Sequence, residues 1–124
     1  MAVYRHILVA TDGSTTARRA VDRAVEVAKA FGAELTIFSV GPPAATQVVE
    51  AELIRLSDSG VKIGTETAEG DPAGAIVDRS ERGDVDLLVL GNKGMTGASR
   101  FLLGSVPNKV SHHAPVALLI VRTT

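Results

Sequence analysis

The chain has no cysteine and no tryptophan among its 124 residues. Without thiols there is no disulfide framework and no thiolate-held zinc, which leaves three histidines and the carboxylates as the metal-ligating side chains. That composition fits a reducing, cytoplasmic setting. Aromatic residues are scarce at 3%, which removes most of the stacking surface that single-stranded nucleic acids use. Excess charge of one sign is missing too. Thirteen Lys and Arg stand against fourteen Asp and Glu, a formal net charge of -1, so no global field attracts a polyanion. No nucleic-acid partner is expected. Long apolar runs are absent as well: no stretch approaches the ~20 apolar residues of a membrane-crossing helix. The opening MAVYRHILVATDGS reaches a turn signal too early for a signal peptide. The expectation is a soluble protein that is neither exported nor membrane-bound.

What is present is a 45% hydrophobic content, enough to bury a core in one domain spanning residues 1–124. The apolar pattern alternates between short runs and helical spacing. Five runs read as strands: His6–Ala10, Glu34–Val40, Val61–Thr67, Asp86–Leu90 and Val116–Val121. At least three are apolar on both faces, as expected for a parallel sheet covered by helices on its two sides.

Four helical stretches lie between the strands. In the first, Ala17, Ala20, Val21, Ala24, Val25, Val27, Ala28 and Phe31 keep one stripe apolar, Arg18, Arg19, Asp22, Arg23, Glu26 and Lys29 face water, and Gly32 supplies the stop. The second covers roughly 46–56, after the breaker GPP. The third opens with Asp71 as N-cap and Pro72 at the first helical position, and runs to Gly83. The fourth begins at Ser105 and stops before Pro115. The order β-α-β-α-β-α-β-α-β predicts an α/β doubly wound parallel sheet, whose ligands bind beyond the carboxyl ends of the strands.

Two segments therefore merit attention, ATDGS after the first strand and GNKGMTGASRFLLGS after the fourth. In the latter, Gly91 and Gly94 allow positive φ and close approach to main chain, while Ser105 begins a helix whose first amides lack partners. This combination suits a phosphate chain, and Lys93 and Arg100 add positive charge; the alternative is a plain strand-to-helix connection with Ser105 as a cap. Asp12 is placed to meet a ribose hydroxyl or a Mg²⁺ carried by phosphates, or else only forms an Asp-Gly turn. Other nucleotide fingerprints fail, since there is no G-x-x-x-x-G-K-[ST] and TDGSTTA has one glycine where a dinucleotide motif needs three. Ser111, His112 and His113 are adjacent on a helix and point about 100° apart, which argues against a serine–histidine relay or a shared metal. They read as the end of that helix, and His6 as a structural residue.

The stretches ILVATDGS, GDPAGAIV, DVDLLVLGNKGMTGASRFLLGSV and HHAPVALLIVR resemble the universal stress protein family across nearly the whole chain. The spacing G-x2-G-x9-G-[ST], met at Gly91, Gly94, Gly104 and Ser105, is similar to that of the family's ATP-binding branch. The resemblance implies the strand order 3-2-1-4-5. It also implies an adenine near Ala10, Thr11 and the backbone of Val40, a ribose or metal at Asp12, and a sugar side closed by Leu90 and Gly91. A triphosphate would be wrapped by Asn92, Lys93, Gly94, Gly104, Ser105, Val106 and Pro107. The implied function is that of an ATP-binding, nucleotide-dependent regulator with Mg²⁺ accompanying the nucleotide and at most slow hydrolysis or autophosphorylation. A signalling or scaffold module that binds AMP, cyclic AMP or only a protein partner is the alternative. Two departures stand out: the segment from Gly41 to Gly60 is short for the family, and Pro107 supplies no N–H to a phosphate. An apolar last strand at a sheet edge predicts a homodimer joined through antiparallel strand 5.

Overall fold

The computed structural model describes residues 3–92 and 105–123. Among them strand and helix alternate strictly: β1 (His6–Ala10), α1 (Thr15–Phe31), β2 (Glu34–Val40), α2 (Ala44–Arg55), β3 (Ile63–Ala68), α3 (Pro72–Ser80), β4 (Leu87–Gly91), α4 (Ser105–His113) and β5 (Ala117–Val121). The strands form one parallel sheet in the order β3-β2-β1-β4-β5. The doubly wound fold and the implied order are both present.

The alternation of side chains along a strand divides the core in two. Ile7 and Val9 of β1, Leu35 and Ile37 of β2, and Leu87 and Val89 of β4 pack against Ala20, Val21, Ala24, Val25 and Ala28 of α1. Leu8, Ala10, Phe38, Leu88 and Leu90 point the other way, against Ala73 and Ile76 of α3 and Val106 and Val110 of α4. The runs that are apolar on both faces are thus the three central strands, and the edge strands β3 and β5 are only part-buried. α1 starts where the Ser14 hydroxyl accepts the Ala17 N–H and stops at Gly32, held left-handed at φ 66°. α3 starts where Asp71 accepts the Gly74 N–H at 2.9 Å, with Pro72 in its first turn.

Several boundaries differ from the sequence expectation. β3 begins at Ile63 because Val61 N–H is taken by the Ser59 hydroxyl at 3.2 Å, which keeps that residue in the preceding turn. α2 begins at Ala44, directly after Pro43, ahead of the position expected from its apolar spacing. α3 ends at Ser80, whose hydroxyl donates to Val77 O at 2.7 Å, and Gly83 at φ +86° only completes the turn that follows.

The amino ends of the strands are tied by polar contacts. His6 Nε2 lies 2.6 Å from Thr36 Oγ1 and Nδ1 lies 3.1 Å from Asp84 O, so this histidine is structural. Asp86 accepts the N–H groups of Arg5 and His6 at 2.9 and 3.0 Å. Arg79, only 4% exposed, bridges Glu66 of β3 and Asp84 before β4 through two hydrogen bonds to each.

Candidate functional site

The candidate site lies at the opposite end of the sheet. β1 and β4 are neighbours, so their carboxyl ends emerge side by side. The chain leaves β1 through a turn fixed largely by the buried Thr11. Its N–H donates to Phe38 O at 2.9 Å, its carbonyl accepts the Ser39 hydroxyl at 2.7 Å, and its Oγ1 accepts the Gly13 N–H at 3.1 Å. Gly13 has φ +82°, and a Cβ there would sit 2.8 Å from Val48 Cγ2 of α2. Both the backbone angle and the space exclude a side chain. Asp12 follows with an exposed carboxylate whose Oδ1 accepts Ser14 N–H at 2.9 Å.

Beyond these ends lies a small cleft, partly open to solvent among the described residues. Ala10, Thr11, Leu90 and Gly91 form its floor; Asp12 and the first turn of α1, with Ser14, Thr16 and Ala17, form one wall. Val106 and Pro107 of α4 form another, and Thr123, after β5, closes the side beside Gly91. Two helix amino termini therefore border the same space. Each carries partial positive charge and amides without intrahelical partners, which favours an anion. Asp12 is the one ionisable side chain among the described lining residues.

Seven residues named from the sequence line this one cleft: Ala10, Thr11, Asp12, Leu90, Gly91, Val106 and Pro107. Ser105 is the first residue of α4. Lys93, Gly94 and Gly104, with Arg100, lie outside the described residues. Val40 does not line the cleft; it is half-buried and packs with the cluster under α3 and α4. Gly91 differs in its reason for being glycine. It is the last residue of β4, not a positive-φ position, and a Cβ on it would meet Thr123 Cγ2 at 3.0 Å. Asn92 is already engaged: its N–H donates to Val121 O at 2.8 Å, and its Oδ1 accepts Thr123 N–H at 2.9 Å and Thr123 Oγ1–H at 3.0 Å.

Sequence reasoning missed Ser14, Thr16, Ala17 and Thr123. Ser14 and Thr16 were accessible as the polar start of the amphipathic α1 and Ala17 as the first member of its apolar stripe, whereas nothing local marks Thr123. His112 and His113 end α4, and the Ser111 hydroxyl donates to Asn108 O at 2.7 Å, so these three form no relay. Among the described residues no group of three or more His, Cys, Asp or Glu is placed to hold a metal. No described helix is long and apolar enough to cross a membrane.

Comparison with known proteins agrees with this architecture. The profile of the universal stress protein family matches residues 3–122. A universal stress protein of Methanocaldococcus jannaschii is 35% identical over 97% of this chain and 83% of its own. One from Mycobacterium tuberculosis is 34% identical over the full length of both chains. Among solved structures, a universal stress protein in complex with cAMP superimposes with a TM-score of 0.85 at 35% identity, covering 100% of each chain.

Proposed function

The chain belongs to the universal stress protein family, and from that premise we propose that its cleft binds an adenine nucleotide, ATP in the first place, as the ligand of a stress-response regulator. One observation carries the reading: a carboxylate after β1 and the amino termini of α1 and α4 border a single cleft beyond the switch point of the sheet. A nucleotide is an anion with a neutral, flat base. The apolar floor of Ala10 and Leu90 suits the base and sugar, and the helix termini suit the phosphates. In this reading Asp12 meets the ribose or a Mg²⁺ bound with the phosphates, because a lone carboxylate holds that hard ion only together with phosphate and water oxygens. Thr11, Gly91, Asn92, Lys93, Gly94, Gly104, Ser105 and Val106 complete the proposed contacts. The described lining residues offer no base positioned beside Asp12, so the protein acts by binding, and hydrolysis is slow at most. We take residues 1–124 as one nucleotide-binding domain working in the cytoplasm as a homodimer through β5.

Cyclic AMP is the second reading. The solved relative at 35% identity is in complex with cAMP, and Pro107, in the first turn of α4, offers no N–H to a polyphosphate. The test is to denature the purified protein and identify released nucleotide by mass spectrometry, then titrate ATP, AMP and cyclic AMP separately. Tight binding of ATP above the others supports the first reading, and preference for cyclic AMP selects the second. Absence of binding by all three at millimolar concentration removes both. A ligand at a hundred times its dissociation constant also adds about 2.7 kcal/mol to stability, readable as a raised melting temperature.

A further inference from the structure

The turn that leaves β1 contains the single Asp-Gly pair of the chain, Asp12–Gly13. Such a pair is chemically weak, because glycine has no side chain to hinder attack by its own nitrogen on the residue before it. The Gly13 nitrogen adds to Asp12 Cγ, and the amide hydrogen leaves with the hydroxyl of the protonated carboxyl group as water, closing a five-membered succinimide ring. Water then reopens the ring. Cleavage at Cγ restores aspartate, whereas cleavage at the main-chain carbonyl leaves Gly13 bonded to Cγ, which is isoaspartate. No other reactant is consumed.

Three side-chain oxygens take up amides across this turn. Thr11 Oγ1 accepts the Gly13 N–H at 3.1 Å, Asp12 Oδ1 accepts the Ser14 N–H at 2.9 Å, and Ser14 Oγ accepts the Ala17 N–H at 3.2 Å. The first of these bears on the chemistry. Ring closure needs the Gly13 nitrogen to give up its hydrogen and turn its electron pair toward Asp12, and the bond to Thr11 holds that hydrogen in place. Thr11 is itself fixed, being 1% exposed with its N–H on Phe38 O at 2.9 Å and its carbonyl accepting the Ser39 hydroxyl at 2.7 Å. Asp12 is exposed, so burial does not shield its carboxyl group from water or protons. Hydrogen bonding is the protection that remains.

We propose that Asp12–Gly13 is a site of isoaspartate formation that Thr11 holds in check, its buried hydroxyl oxygen keeping the Gly13 amide from attacking Asp12. Conversion would lengthen the main chain by one carbon between Thr11 and α1, and would displace the Asp12 carboxylate and the first turn of α1, which line the cleft. Whichever ligand the cleft takes, its wall would change.

The test compares folded wild type, Thr11→Val and Thr11→Ser at neutral pH and physiological temperature with wild type unfolded in guanidinium chloride. Thr11→Val keeps the shape and removes the acceptor; Thr11→Ser keeps the acceptor. Peptide mapping with electron-transfer fragmentation counts isoaspartate at Asp12 and, as an internal reference, at the exposed Asp58. Folded wild type should convert at Asp12 more slowly than the unfolded chain. Loss of one hydrogen bond should make Thr11→Val about three- to tenfold faster than wild type, with Thr11→Ser close to wild type and Asp58 alike in all three. Conversion of Thr11→Val at the wild-type rate would overturn the assignment, as would equal acceleration at Asp58, which marks general loosening. Hydrogen exchange of the Gly13 amide in wild type needs no variant: slow exchange is expected, and exchange at the rate of the unfolded chain would show that Thr11 does not hold it.

Discussion

Replacing Gly13 by alanine tests how the turn that carries Asp12 is held. Two costs act together. At φ +82° an alanine is in the left-handed region, worth about 1–2 kcal/mol of strain. Its Cβ would also approach Val48 Cγ2 to 2.8 Å, well inside the ~3.5–4.0 Å of a favourable carbon contact. Val48 is not free to yield. α2 is anchored by Ala45 and Val49 in the core and by the buried Glu52, which Arg55 and Arg18 both approach, with Arg55 also bonding Asp22 of α1 at 2.8 Å. The reduced backbone freedom of unfolded alanine offsets about 0.4–1 kcal/mol. The net expectation is a destabilisation of about 2–3 kcal/mol, or a melting temperature lower by roughly 10 °C. Urea denaturation of wild type, Gly13→Ala, Val48→Ala and the double variant would measure it. The second substitution should relieve the clash, giving a favourable coupling of about 1 kcal/mol. A Gly13→Ala protein within about 0.5 kcal/mol of wild type, or a coupling of zero, would show that α2 does not roof this turn.

Arg79 offers a pH-dependent test. Its hydrogen bonds hold the Asp84 carboxyl below the usual carboxylate range, and Glu66 and Asp84 in turn raise the Arg79 guanidinium. Because the folded Asp84 pKa is depressed, its contribution is complete above the unfolded value of about 4 and is lost as pH falls further. Urea denaturation at stepped pH should show stability dropping below about pH 4. Arg79→Met should flatten that decline and cost about 2–3 kcal/mol at neutral pH, the low side for a buried ion pair since both acids stay partly solvated. An unchanged acid limb would refute the assignment. At the other edge of the sheet, Asn92 N–H bonds Val121 O, so the alternation of a parallel ladder turns the main-chain groups of Leu118 and Ile120 outward. Ile120→Pro removes one outward N–H without breaking the β4 ladder. Sedimentation at micromolar concentration should show a wild-type dimer and a monomeric variant, and a monomeric wild type would exclude the β5 interface.

Much of the fold was legible because burial on two faces leaves a plain mark. Ile7 to Ala10 and Leu87 to Leu90 are unbroken apolar runs, and α1 carries both its stripe and its caps. Strand order was not legible from periodicity, since nothing local says whether β1 lies beside β2 or β4; it came from family resemblance. α2 was blurred by Glu52, an acid buried through its arginine partners, where an apolar residue would have marked the inward face. Arg79 was hidden for the same reason. In the cleft, Asp12 and Gly91 stood at strand ends and were found there, with Gly91 serving close approach instead of a turn. Thr123 escaped because its role depends on a partner 31 positions away.

The most direct measurement is a nitrogen-15 amide map of the protein titrated with ATP and, separately, with cyclic AMP. The account predicts that the shifts concentrate at Thr11, Asp12 and Gly13, at Gly91 and Asn92, at Val106 and at Thr123, while the amides of Arg5, His6 and Asp86 at the far end of the sheet stay in place. Shifts centred on that far end, or none at millimolar nucleotide, would contradict it.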